Sequence, residues 1–416
     1  MAVLIKNINC LVTVDAKGAL RKQGAEMQEI GEIKNGALVF DEKILWTGTM
    51  EDFFAAKTAA KFDIEKEIDA KGKTVLPGFV DSHTHFVFGG DRSEEFARRL
   101  RGVSYRQIAE EGGGILTTMK GTREATVDRL AETGRRLALS AMKHGTTAVE
   151  IKSGYGLTTK SEINQLQAVK TLAKELPLHI TPTFLGAHAI PPEYEHDRET
   201  YVNIICSEMI PTVAEMRLAR YNDVFIDEGY YTLLEGEKIL KTGIDYGLKP
   251  KVHCDELADT GSAGLAASLG AVSADHLLFV SEESMDAMKE SGTVACLLPG
   301  TAYFIRMPYA PARKMIEKGL TVALSTDCNP GSSFTENMQL ILSLAVINMG
   351  MTAEEAISAA TLNGAAAIEQ SAYMGSLEKG KYANFIICNT ASYTDLFYHF
   401  GINHVEETWI KGKRAV

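Results

Sequence analysis

The chain is poor in the features that mark exported, membrane-bound or nucleic-acid-binding proteins. Its six cysteines, at positions 10, 206, 254, 296, 328 and 388, are scattered over 416 residues with no Cys-x-x-Cys pair. That excludes a disulfide framework and predicts a reducing, cytoplasmic setting. No apolar run approaches the ~18–20 residues of a membrane-crossing helix, so no membrane partner is expected. The first residues alternate like a strand and carry Lys6 and Asp15, without the apolar centre of a signal peptide. Positive charge is in deficit: 43 Lys+Arg stand against 54 Asp+Glu, a net charge of −11. No basic face is available for phosphates, which argues against nucleic acid as a partner. No Gly-rich phosphate loop follows the first strand of the long middle segment. What the chain does have is ordinary globular composition, 45% hydrophobic and 23% charged, which excludes wholesale disorder.

The ends and the middle have different rhythms. Short strands are predicted at Ala2–Ile5, Ala37–Phe40 and Lys43–Thr47, and again at Asn384–Cys388 and Glu407–Lys411. Neither end is long enough to bury a core alone, so residues 1–74 and 373–416 are expected to form one composite β-sandwich domain. Between them, over 75–372, apolar β-branched runs alternate with helical patterns. Eight strands are predicted: Val75–Ser82, Thr146–Lys152, His179–Ala187, Asp223–Glu228, Pro250–Cys254, Val272–His276, Thr293–Leu298 and Thr321–Thr326. One intervening helix shows Ile163, Leu166, Val169, Leu172 and Leu176 at spacings of three and four, opened by a Thr159-x-x-Glu162 capping box. Thr352-x-x-Glu355 opens another. The fold class expected is α/β, a (β/α)8 barrel with long loops, although a doubly wound open sheet shows the same alternation.

In a barrel, chemistry gathers at the C-terminal ends of the strands. The first ends in Asp81-Ser82-His83-Thr84-His85, where residues i and i+2 face the same side. The fifth ends in His253-Cys254-Asp255-Glu256, the sixth in Asp275-His276 and the eighth in Ser325-Thr326-Asp327. Each has a plain structural reading: His-x-His arises by chance, His253 suits a hydrogen-bonded core, and Asp327 suits a helix N-cap. Their joint placement at strand ends favours a metal site of His83, His85, His253 and Asp327. Three imidazoles and a carboxylate suit Zn²⁺ or iron. Cys254 and Cys328 are one residue out of phase with their neighbouring ligands, so packing is expected of them. His144, in Lys143-His144-Gly145, reads as a helix C-terminus.

The segment Pro77-Gly78-Phe79-Val80-Asp81-Ser82-His83-Thr84-His85 resembles the first barrel strand of the amidohydrolase superfamily, and His253, His276 and Asp327 match its strand-five, strand-six and strand-eight positions. Three further segments resemble the imidazolonepropionases within it: Glu150–Leu157, Phe184–Pro191 and Ser325–Ser332. The resemblance implies a metal-dependent hydrolase of the TIM-barrel type, with the composite β-sandwich and a homodimer. It implies one Zn²⁺ or Fe ion per chain, since the strand-four segment Asp223–Glu228 lacks the lysine that two-metal members carry. The implied substrate is 4-imidazolone-5-propanoate, opened to N-formimidoyl-L-glutamate in histidine degradation.

That chemistry assigns expected roles. Asp327 holds or accepts the water proton, Glu256 shuttles a proton to the leaving ring nitrogen, and His276 orients water or the oxyanion. Arg92, in a solvent-facing loop seven residues beyond His85, is the expected partner of the propanoate. Tyr105 and Tyr155 add hydroxyl donors, and His188 bonds to the ring. Asn329, Gly331 and Ser332 form a polar turn for the nascent carboxylate of the product. Two other readings are a metal-dependent deaminase of a heterocycle, which needs the same shuttle, and a metal-free scaffold on this fold. A carboxylate-binding Arg92 separates the first from the ring opener. An intact set of four ligands speaks against the second.

Overall fold

The computed structural model describes residues 2–55, 61–103, 107 and 113–416. Eight parallel strands follow one another around a barrel in chain order: β1 (Phe79–Asp81), β2 (Thr146–Lys152), β3 (His179–Ala187), β4 (Tyr221–Ile226), β5 (Lys249–Cys254), β6 (Ser273–His276), β7 (Val294–Leu297) and β8 (Val322–Leu324). The barrel closes just beyond the first and last strands. Asp327 N–H donates to the His83 carbonyl at 3.1 Å, and His85 N–H donates to the Cys328 carbonyl at 3.0 Å. The buried Asp81 carboxylate ties the same seam from below, accepting from the Thr326 amide at 3.0 Å and its hydroxyl at 2.6 Å. This closure settles the choice between barrel and open sheet.

A second sheet gathers both termini. Its hydrogen-bonded path runs Lys413–Arg414, Val405–Ile410, Phe385–Cys388, Thr74–Pro77, Ala2–Val12, Glu32–Phe40 and Ile44–Thr49, with Ile64–Asp69 added beside Ala2–Val12. The strand expected over Val75–Ser82 therefore divides. Thr74–Pro77 pairs antiparallel with Phe385–Cys388 in the terminal sheet, while Phe79–Asp81 enters the barrel. We propose the two-domain division on this basis, with the junction at Gly78. An aromatic cluster stiffens the terminal core: Phe385 stacks on Trp409 at 5.5 Å and meets Phe40 edge-on at 5.0 Å, worth about 0.5–1.5 kcal/mol per pair beyond burial.

The barrel's apolar core lies outside the strands, between them and the helices. Leu166, Val169 and Leu172 of the helix Thr159–Glu175 are fully buried there, as their spacing predicts. The cap of that helix differs from expectation. Thr158 is the N-cap, with its hydroxyl accepting from Ser161 N–H, and Glu162 bonds elsewhere. The Thr352–Glu355 capping box does form. The interior of the barrel is charged: Glu150, Lys152, Asp223, Lys251 and Asp275 all point inward and are fully buried. Among the described residues no helix is long and apolar enough to cross a membrane.

Candidate functional site

The strand ends converge on a cavity of about 350 Å³. His83 and His85 leave β1 on the same side of the chain, and His253 arrives from the end of β5. One ring nitrogen from each of these three imidazoles lies within 4.8 Å of the other two. Asp327, following β8, brings Oδ1 to 3.5 Å from Nε2 of both His83 and His85. All four side chains are buried.

The hydrogen bonds behind the imidazoles decide which nitrogen faces the centre. His83 Nδ1–H donates to Asp275 Oδ2 at 2.6 Å, and His253 Nδ1–H donates to Asp223 Oδ1 at 3.1 Å. Carboxylates accept, so the ring protons sit on Nδ1 and each Nε2 carries a lone pair. Among the described residues, His83 Nε2 and His253 Nε2 are buried without a hydrogen-bond partner. Buried polar atoms without partners are costly, and converging imidazole lone pairs beside a carboxylate are what a divalent cation takes up. The donor set therefore fits the expected metal.

Electrostatics agree. Burial, reinforced by neighbouring Lys152 and histidines, holds His83 and His85 well below the usual imidazole range, so they are neutral donors. Burial pushes Asp327 up to about 6. Glu256 is pushed well above the ordinary carboxylate range, first by burial and then by Asp327. Its Oε2 lies 3.6 Å from His276 Nε2. The backbone of Glu256 is clamped by Asp227, whose Oδ2 accepts from the amides of Glu256 at 2.7 Å and Leu257 at 2.8 Å. Thr301 donates its hydroxyl to Asp327 Oδ2 at 2.5 Å, which fixes the rotation of that carboxylate.

The rest of the predicted set lines the same cavity. Tyr155 and His188 flank His85, with ring centroids 5.6 and 5.3 Å from it. Their loop is built by Glu162, whose carboxylate accepts from the amides of Gly154 at 2.9 Å, Gly156 at 2.9 Å and Leu157 at 2.8 Å. Glu162 thus serves the site loop, and the helix cap falls to Thr158. Gly154 has φ +109, and a Cβ there would meet the Leu185 carbonyl at 2.9 Å, so this turn requires glycine. His188 Nδ1 bonds to the Gly154 carbonyl at 2.9 Å, which aims Nε2 into the cavity.

Arg92 also lines the cavity, but it is not solvent-facing. Its side chain is 8% exposed, and Nε donates to Glu95 Oε2 at 2.9 Å. Gly331 makes room for it: a Cβ at Gly331 would stand 2.2 Å from Arg92 Nη1. Gly331→Ala is therefore expected to push the guanidinium aside. Given that an ångström of misplacement costs about 10²-fold, kcat/KM should fall by that order with metal content unchanged, checked by steady-state kinetics and metal analysis. The amides of Gly331 and Ser332 both donate to Asn329 Oδ1 at 2.8 Å. A carboxylate received by this turn must displace the Asn329 side chain from them. Tyr105 lies outside the described residues. Cys254 and Cys328 are buried in apolar clusters, as their phase suggested, and His144 caps the C-terminus of the helix Val127–Lys143.

An amidohydrolase family model matches residues 238–415, and a second matches residues 66–103. The chain is 44% identical over 414 residues to the imidazolonepropionase of Geobacillus kaustophilus, covering 100% of this chain and 97% of that protein. It is 46% identical over 405 residues to the imidazolonepropionase of Clostridium tetani, covering 97% and 96%. The chain belongs to the imidazolonepropionase family. Among solved structures, a zinc-bound adenosine deaminase from Xanthomonas campestris superposes with a TM-score of 0.70, covering 99% of this chain and 92% of that one. At 16% identity that likeness speaks for the fold alone.

Set beside the family expectations, the cavity contains residues that the sequence pattern did not single out. Arg99 lines it two helical turns after Arg92 on the helix Ser93–Leu100, its guanidinium 5.5 Å from the Phe304 ring. Phe225 and Tyr230, whose rings lie 3.9 Å apart, wall the side near His188. The i, i+7 spacing of Arg92 and Arg99 is the one signal that could have found Arg99.

Proposed function

We propose that the protein hydrolyses 4-imidazolone-5-propanoate to N-formimidoyl-L-glutamate in L-histidine catabolism. The full-length likeness to imidazolonepropionases carries this reading. A neutral cyclic amide resists water, so the site must activate a nucleophile, stabilise an oxyanion and protonate the departing nitrogen. One Zn²⁺ or Fe ion, held by His83, His85, His253 and Asp327, supplies when bound a lowered water pKa near ~7 and Lewis-acid polarisation of the carbonyl. Asp327 takes the proton from water. His276 steadies the oxyanion, and Glu256 delivers a proton to the ring nitrogen as the C–N bond breaks. Arg92 pairs with the propanoate, Tyr155 and Tyr105 donate hydroxyl hydrogen bonds, and His188 Nε2 meets the ring. Asn329, Gly331 and Ser332 receive the new carboxylate. We also propose a homodimer and a cytoplasmic location, in keeping with the free state of all six cysteines.

The direct test is turnover of enzymatically generated imidazolone propanoate, with ammonia release measured in parallel to detect a deaminase. Arg92→Ala sharpens it. A substrate carboxylate left desolvated and unpaired costs about 2–5 kcal/mol in kcat/KM. Arg92→Lys keeps the positive charge and loses less, but still weakens kcat/KM because lysine cannot make two parallel hydrogen bonds. Wild type should prefer the imidazolone bearing its propanoate arm over the armless ring, and Arg92→Ala should lose that preference. Equal discrimination by both proteins removes Arg92 as the clamp. Some stability is expected to go as well, because Glu95 loses its partner while also holding Gly114 N–H and the Thr117 hydroxyl.

A further inference from the structure

Beneath the imidazoles lies a layer of charge that the chemistry above does not use. Barrel interiors are filled in layers contributed by alternate strands. Here β2, β4 and β6 contribute Lys152, Asp223 and Asp275, all fully buried. The Lys152 ammonium lies 2.7 Å from Asp223 Oδ2, 3.0 Å from Glu150 Oε1 and 3.5 Å from Asp275 Oδ2. Lys251 approaches the other Glu150 oxygen at 2.7 Å. Three carboxylates against two ammonium groups leave this layer at a formal −1. Asp275 and Asp223 are the two carboxylates that accept from His83 and His253. One ammonium group therefore touches both groups that set the tautomer and rotation of two imidazoles.

We propose that Lys152 is a positioning residue that couples His83 to His253, holding Asp275 and Asp223 so that both imidazoles present Nε2 to the same cation. This rests on the metal reading of the site. Without the ammonium, the two buried carboxylates repel each other: Asp223 keeps only its bond to His253, and Asp275 keeps only His83 and the Ser273 hydroxyl, so both hold their histidines less firmly. A lysine that merely neutralised buried charge would matter to folding and leave the ligands' preference for metal untouched. Partners of this kind behind metal-binding histidines change metal affinity by about 10–100-fold when removed.

The test uses full-length wild type, Lys152→Met and Lys152→Gln, stripped of metal by chelation. Circular dichroism reports folding, competition with a chromophoric chelator reports zinc affinity, and Co²⁺ substitution reports ligand arrangement through its visible absorption. Zinc affinity is expected to fall about 10–100-fold in both variants, with unchanged circular dichroism and shifted cobalt bands. Asp275→Asn should weaken zinc too, and its effect should be less than additive with Lys152→Met. Folded variants with wild-type zinc affinity and wild-type cobalt bands overturn the proposal. So does failure of both variants to yield folded apoprotein, which would make Lys152 a folding residue. Wild type that takes up neither zinc nor cobalt overturns the metal reading itself, and this coupling with it.

Discussion

Replacing His83 or His253 by Ala is expected to remove metal and turnover together. Wild type should hold about one tightly bound Zn or Fe per chain, and the variants close to none. The loss should approach the whole catalytic acceleration, about 10⁶-fold or more for enzymes generally, because proton acceptance by Asp327 does not replace the lowered water pKa that the ion supplies when bound. The reason lies in the second nitrogen of each ring. His83 and His253 are fixed by carboxylates at Nδ1, and each presents a buried Nε2 with no partner among the described residues. Alanine deletes a donor and also strands Asp275 or Asp223, so a replacement ligand cannot be recruited cheaply. Metal analysis beside kinetics on the same preparations checks this. Two metals per chain, or full activity in chelated protein, would sink the mononuclear reading. The second buried donor group, His83, Glu150 and Asp275, already faces a cation: the Lys152 ammonium lies 3.0 Å from Glu150 Oε1 and 3.5 Å from Asp275 Oδ2.

The convergence of His83, His85, His253 and Asp327 on one cavity was legible in the sequence because barrel geometry puts strand C-termini in one place, so short motifs could be overlaid without knowing any distance. β2 and β3 have the predicted limits because each is rich in β-branched and apolar residues and is bounded by turn residues, Gly145 and Ser153-Gly154 about β2 and Pro177 before β3. Val75–Ser82 misled for a physical reason. Its apolar run is continuous, but Pro77-Gly78 breaks the ladder, and the two halves serve different sheets. Ile64–Asp69 was missed because only Ile64 and Ile68 are apolar in a largely exposed strand. The charged layer under the site left a trace that was legible in principle. Glu150 and Lys152 alternate inward along β2, as do Lys251 and His253 along β5. What the sequence cannot supply is which charge meets which across the barrel. Glu162 shows the converse failure: its spacing from Thr159 imitates a capping box, while three loop amides claim its carboxylate.

Glu256→Gln is expected to lower kcat by roughly 10²–10⁴-fold while leaving metal content unchanged. The substitution keeps size and hydrogen-bonding shape but removes the transferable proton. Glu256 is suited to that transfer by position first. Its own amide and that of Leu257 both donate hydrogen bonds to Asp227 Oδ2, and its carboxyl opens into the cavity 3.6 Å from His276. His276, the imidazole beside the Glu256 carboxyl, is not among the proposed ligands, so the metal-binding groups should survive the change. Burial and the nearby Asp327 raise its proton affinity, so Glu256 can begin the cycle as an acid. An amide nitrogen leaving a tetrahedral centre needs a proton as the C–N bond breaks, since its anion is a poor leaving group. A glutamine can donate a hydrogen bond to that nitrogen without surrendering the proton. The expected signature is therefore a fall in kcat with KM nearly constant, measured alongside metal content and thermal melting. A near-wild-type kcat moves the duty to Asp327 or His276, and the corresponding variants, Asp327→Asn and His276→Gln, then separate those two.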